Sequence, residues 1–201
     1  TFAWASDGAP SDCVALAQLG FIPEKIDMVV SGINPNANIG HDVTYSGTVT
    51  AAMEAAIWGI PGVAVSLDRP ENHAGPADYQ PTGEIARRII GWFLDQSNLP
   101  NDMILNVNVP YGPLSEMKGY RITRQGLRIY HDELVRRKDP RGKPYFWIGG
   151  EAPTGVEEPG TDYGALSAGF VSITPIQLDL TSHRMRSWME ERGFEADLSL
   201  A

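Results

Sequence analysis

The sequence has 201 residues, a length that favours one domain with a core of its own, and its 16 Lys and Arg against 25 Asp and Glu give a formal net charge of −9. That balance excludes a duplex-nucleic-acid or membrane-surface binder that draws its affinity from a basic field. One cysteine, Cys13, excludes a disulfide framework and a Cys-rich zinc site, and no apolar run approaches the roughly 20 residues of a membrane span, so a cytoplasmic protein is expected.

In chain order, Asp12 to Gly20 places apolar residues at helical spacing behind a Ser11/Asp12 cap, with Cys13 expected to be buried and inert. Asp27 to Ser31 is a short apolar run that reads as a buried parallel strand. The loop Gly32 to Tyr45 holds three asparagines, two glycines and a proline, and Ser46 to Trp58 then follows with helix-favouring composition behind a serine cap. Gly62 to Leu67 is a second strand, Asp78 to Gln96 an amphipathic helix with Arg87 and Arg88 on its wet side, and Ile104 to Val109 a third strand. This alternation predicts a parallel sheet wrapped by helices. After Pro110, the runs Tyr120 to Thr123, Arg128 to Lys138 and Pro144 to Ile148 predict an antiparallel extension, and Ala152 to Thr161 reads as a loop. Phe170 to Thr174 is a further strand and Arg184 to Arg192 a terminal helix. Trp58, Trp92 and Trp188 fit helix packing faces and are expected in the core.

The chain lacks the P-loop, dinucleotide, zincin and nucleophile-elbow motifs, and Ser46 has no accompanying base to make it an esterase nucleophile. Its strongest local signal is Ser31 to Thr48, a segment between a buried strand and a helix start, where open α/β sheets bind ligands. Free N–H groups at Ser46, Gly47 and Thr48 and the positive end of the helix dipole favour an anion such as phosphate. Asn34 and Asn38 offer neutral oxygens and amide donors that suit a hard dication or a phosphate oxygen. The same residues also read as a plain helix cap and as Asx-turn loop positions. His41 is expected to be a surface hydrogen-bonder, and Asp42 beside it a residue that could line the site. Arg136, Arg137, Lys138 and Arg141 form either a solvated hairpin or a patch for polyphosphate or nucleotide. Thr161 and Asp162 read as a turn and helix cap.

Ser31-Gly32-Ile33-Asn34, Asn38, Gly40 and Tyr45-Ser46-Gly47-Thr48-Val49 resemble the central motif of the SurE family of metal-dependent 5′(3′)-nucleotidases. The likeness continues through Ser11 to Val14, Ala64 to Asp68, Asn106 to Pro110, Asp139 to Gly142, Tyr145 to Gly149, Gly160 to Asp162 and Gly169 to Pro175, nearly the whole chain. The resemblance implies a three-layer, Rossmann-like α/β fold with a β-hairpin arm and a C-terminal tail. Residues 1-110 would be the α/β core, 111-150 the β-rich arm, and 151-201 the last core strand and exchange tail. It further implies a phosphomonoesterase, a 5′-nucleotidase of acid-phosphatase-like type, acting on nucleoside monophosphates with one Mg²⁺ or Mn²⁺ per subunit, and self-association into a dimer or tetramer.

On that resemblance Asn34 is a metal ligand, and Asn38, Ser46, Gly47 and Thr48 surround the substrate phosphate. The family's remaining metal ligands, an aspartate pair in an N-terminal motif and a later serine, have no counterpart here, because no Asp-Asp occurs in the chain. The chain opens on Thr1 without a methionine, so that pair is expected to precede it. Carboxylates supply the charge that holds a dication, so this chain alone is expected to be inactive. The alternative of a different class is a non-catalytic phosphate-binding or assembly module.

Overall fold

Strand and helix placement follows from which stretches alternate and which are apolar throughout. The fold is described from a computed structural model that covers residues 2–97, 99–100 and 102–198. Pro10–Leu16 forms α1, in which Asp12 Oδ2 accepts the Ala9 N–H at 2.8 Å, and one π-helical turn, Ala17–Phe21, continues it. Then come β1 (Val29–Asn34), a 3₁₀ turn (Gly40–Thr44), α2 (Gly47–Ile57), β2 (Gly62–Asp68), α3 (Gln80–Leu94) and β3 (Met103–Pro110). The rest comprises β4 (Tyr120–Ile122), β5 (Arg128–Lys138), β6 (Pro144–Gly155), α4 (Asp162–Ser167), β7 (Val171–Gln177), α5 (His183–Glu191) and α6 (Phe194–Asp197).

The main sheet runs β1-β2-β3-β7-β4, with β1, β2 and β3 mutually parallel and β7 antiparallel to β3. Helices cover both faces, which is why β2 is apolar almost throughout. On one face Val63, Val65, Leu105, Val107 and Val109 pack against Ile85, Ala86 and Ile89 of α3. On the other, Ala64, Ile104 and Ile176 meet Val49, Ala52 and Ala56 of α2, and Val14 of α1 packs on Ala51 and Ala55. The α/β architecture with a separate antiparallel hairpin is the one the sequence pattern predicts. Among the described residues no helix is long and apolar enough to cross a membrane.

Four expectations need correction. Tyr120 to Ile122 is not an antiparallel extension: β4 closes the main sheet as a parallel neighbour of β7, since three residues carry too little pattern to choose a partner. The hairpin is β5 with β6, and β6 runs on to Gly155 through part of the expected loop. Cys13 is exposed, because Val14 is the residue of α1 that turns inward. Trp58, Trp92 and Trp188 are likewise 44, 59 and 49% exposed; Trp58 donates its ring N–H to Glu54 at 2.9 Å and Trp188 carries the Arg192 guanidinium 4.2 Å above its ring.

Alanine-rich α2 lies so close to β2 that a Cβ on Gly62 would stand 2.3 Å from the Ala52 carbonyl oxygen. Gly62→Ala is therefore expected to cost about 1–3 kcal/mol of stability through overpacking, read from the denaturant midpoint; an unchanged midpoint would show that the layer can move apart freely.

Candidate functional site

The face of the sheet under α2 changes character along its length. Strand alternation puts Ala64 and Ser66 of β2, Asn106 and Asn108 of β3, and Ser172 and Thr174 of β7 on this side. Towards the carboxyl ends of the parallel strands the aliphatic residues give way to a polar row, buried at Ser66, Asn106, Asn108 and Ser172 and partly exposed at Asn34. Asn34 pairs in register with Ser66, Ser66 with Asn108, and Asn108 with Ser172. Beyond it, Thr123 Oγ1 lies 2.8 Å from Ser172 Oγ and 2.7 Å from Thr174 Oγ1.

This row holds the asparagine loop as a neighbouring strand would. Asn108 Oδ1 accepts the Asn38 N–H at 2.7 Å, and Asn106 Nδ2 and Asn108 Nδ2 both donate to the Asn38 carbonyl, at 2.7 and 3.0 Å. The Asn38 side-chain amide donates to Ser66 Oγ at 2.8 Å. Asn38 thus has its backbone and its amide nitrogen engaged by the protein, and its Oδ1 has no hydrogen-bond partner among the described residues. Asn34 is partly exposed at the end of β1, with Nδ2 donating to the Asn36 carbonyl at 2.6 Å.

The loop leads through the 3₁₀ turn into α2. Ser46 is the N-cap, its hydroxyl oxygen accepting the Val49 N–H at 3.2 Å. Gly47 and Thr48 then occupy the first turn, where backbone N–H groups have no partner inside the helix. The Thr48 hydroxyl has no hydrogen-bond partner among the described residues. Gly47 also has a packing reason for its identity: a Cβ there would sit 3.1 Å from Pro10 of α1. The structure therefore brings Asn34, Asn38 and the Ser46–Thr48 turn to one end of the sheet.

Asn106, Asn108, Asp162 and Arg128 at this end were not singled out by spacing, or were given other roles. Asn106 and Asn108 were legible as two polar side chains two apart in an apolar strand, and hence on one buried face. Asp162 Oδ2 accepts the Gly40 N–H at 2.8 Å, while its Oδ1 accepts those of Gly126 at 2.7 Å and Tyr163 at 2.8 Å. Thr161 caps α4, accepting from the Gly164 N–H at 3.0 Å, as expected. Arg128, the first residue of β5, lies 3.3 Å from Asp42 in a half-buried ion pair that is charge to charge rather than an aligned hydrogen bond. Burial pushes the Asp42 carboxyl up from its ordinary range more than Arg128 draws it down, and Asp162 adds to the rise; burial likewise raises Asp68 against the pull of Arg128. His41 is exposed, and Arg136, Arg137, Lys138 and Arg141 lie exposed along the hairpin and its turn.

Among the described residues no group of three or more His, Cys, Asp or Glu side chains could hold a metal ion. Asn34 offers one neutral oxygen, so the residues present do not by themselves fit a dication.

The family model described as Survival protein SurE matches residues 1–132. A 5′-nucleotidase SurE from Chloroflexus aggregans is 49% identical over 185 residues, covering 92% of this chain and 71% of that protein. Another, from Herpetosiphon aurantiacus, is 49% identical over 180 residues, covering 90% of this chain and 69% of its own. The crystal structure of the SurE protein from Aquifex aeolicus superposes with a TM-score of 0.73 at 40% identity, over 92% of this chain and 74% of that one.

Two expectations arise from the polar end. Asn108→Ala leaves the buried Asn38 N–H without an acceptor and is expected to cost roughly 2–4 kcal/mol in a denaturant melt; a cost well under 1 kcal/mol would mean the loop re-satisfies itself. For Asp68, a raised folded pKa means the folded state holds the proton more tightly. Its contribution is full below the ordinary carboxylate pKa and is lost as pH rises through the elevated one. Asp68→Asn should therefore flatten the fall in stability from about pH 4 to pH 7, whereas an unchanged slope would clear Asp68 of that titration.

Proposed function

The chain belongs to the SurE family, and from that premise we propose that it works as a 5′(3′)-nucleotidase, a phosphomonoesterase releasing inorganic phosphate from nucleoside 5′- or 3′-monophosphates. The observation that carries this reading is the first turn of α2, an eleven-residue helix whose open N–H groups and Thr48 hydroxyl follow directly on the clamped asparagine loop. In this reading Ser46, Gly47 and Thr48 receive the phosphate. Asn38, fixed on the polar row, contributes Oδ1 beside it, and Asn34 is one oxygen ligand to Mg²⁺ or Mn²⁺, one ion per subunit.

The carboxylates needed for that ion are not a pair within this chain, which has no consecutive aspartates. We infer that these 201 residues alone hold the ion weakly and do not turn over. The absence of a carboxylate cluster among the described residues is also what favours the second reading, a phosphate-binding or assembly module without catalysis.

Self-association is the other half of the proposal. The β5–β6 hairpin exposes aromatic and aliphatic side chains on a two-stranded ribbon, among them Trp147 at 65% and Ile148 at 75%. Such a ribbon is marginal alone in water and gains from packing on another surface. The helix α5 has no buried residue and exposes Met185 and Trp188. A dimer or tetramer built by arms and exchanged tails uses both. The single cysteine and the acidic balance suit a reducing cytoplasm.

The decisive experiment measures phosphate release from a panel of nucleoside monophosphates with Mg²⁺ or Mn²⁺. The 201-residue chain is expected to show none and the protein at its natural full length to be active, with Thr48→Val lowering kcat/KM about tenfold. Turnover by the 201-residue chain would overturn the ligand assignment. An inactive full-length protein that still binds inorganic phosphate would establish the module reading instead.

A further inference from the structure

The segment between the two halves of the proposed site is gripped from two sides. Behind it stands the polar row that holds Asn38. In front stand residues more than eighty positions away in sequence. The N–H of Gly40 is taken by Asp162 Oδ2 at 2.8 Å and its carbonyl by Gln125 Nε2 at 3.0 Å. Asp162 Oδ1 holds the N–H of Gly126 at 2.7 Å, so one carboxylate joins the loop to the root of the hairpin. Two residues past Gly40, Asp42 pairs with Arg128, where β5 begins. The fit is close: Gly40 has φ +54°, and a Cβ on it would lie 2.8 Å from the Gly126 carbonyl oxygen.

Asp162 is fully buried, and a buried carboxylate is tolerated only where donors answer it. Among the described residues its donors are all backbone N–H groups: Gly40, Gly126 and its own neighbour Tyr163. Its hydrogen bonds are therefore spent on fixing the relative position of two loops. An isolated helix cap needs no contact with Gly40 or Gly126.

We propose that Asp162 is a positioning residue for the phosphate end: together with Gln125 it sets the Asn38–Asp42 segment against the root of the β5–β6 arm, so that the docking of the arm is felt at the site. The inference rests on the nucleotidase reading, and it assigns to α4 and the arm root a part in the reaction that touches no substrate atom. A loop displaced by about an ångström leaves binding groups present and misaligned, which lowers kcat more than it raises KM.

The test compares the full-length protein with Asp162→Asn and Gln125→Ala. The asparagine keeps the volume and accepts from only one of the two loop N–H groups; Gln125 is exposed, so its truncation leaves the core intact. With a nucleoside monophosphate and Mn²⁺, kcat is expected to fall about tenfold or more in Asp162→Asn and about threefold in Gln125→Ala, with KM within about twofold. Hydrogen exchange of the Asn38–Asp42 amides should quicken in both while that of β2 stays as in the wild type. Light scattering and thermal melts confirm that assembly and folded fraction are unchanged. The proposal is overturned if both variants keep kcat within twofold, or if kcat falls only in step with the folded fraction. Should Asp162→Asn not fold, Gln125→Ala decides alone. A wild type that releases no phosphate sinks the nucleotidase reading, and the clamp is then judged by exchange: unchanged rates at Asn38–Asp42 would sink it too.

Discussion

An irregular loop can lie buried over a sheet only if something answers its N–H and C=O groups, and in this chain asparagine side chains do so. Asn106 and Asn108 present amide groups that mimic the edge of a strand, and the Asn38 backbone docks on them. The cost is visible in the same place: Asn106 Oδ1 is buried and has no partner among the described residues. An aliphatic row of the same shape would pack as well and would leave the loop unheld. The polar row therefore trades some hydrophobic burial for a defined loop path, and the positions of Asn34 and the α2 cap follow from that path.

Two different solutions keep acidic groups inside this end of the molecule. Asp162 is answered by the backbone N–H groups of Gly40, Gly126 and Tyr163. Asp42 and Asp68 share Arg128, and one guanidinium does not offset the burial of two carboxylates, so both are raised. The first arrangement sets position, and the second leaves charge in tension at Asp42 and Asp68.

Much of the core was legible because a period of two or of 3.6 survives in a single sequence. Strands β2 and β3 fall within a residue or so of the expected bounds, and β5 matches them, since flanking glycines and prolines end each run. The loop, its Ser46 cap and its place at the carboxyl end of the sheet were also legible, being local. Contacts between distant positions were not: nothing in Gly160-Thr161-Asp162 announces that its carboxylate closes on Gly40, 122 residues earlier. Gly47 shows how one local feature admits two causes, since freedom to approach a ligand and freedom to approach Pro10 leave the same residue behind. Cys13 and the three tryptophans were misplaced because an apolar residue on a helix face becomes core only where another element covers it.

On the proposed function, the phosphate end must meet an electrostatic demand that the whole chain opposes. A dianion approaching a protein of net charge −9 must find a local source of positive potential. The charged candidate, Arg128, is already committed to Asp42 and shared with Asp68, and the basic run of the hairpin lies on a different element. What remains is the first turn of α2, whose N–H groups carry partial positive charge and which contains no acidic residue. A cradle of fixed dipoles on a rigid helix binds by geometry, because its donors cannot swing to follow a displaced guest. Its effectiveness therefore depends on the loop that leads into it, and that loop is the one gripped by Asn106, Asn108, Asp162 and Gln125. The heavy polar investment in holding this loop is intelligible on that basis: where the donors are backbone, the way to aim them is to fix the backbone.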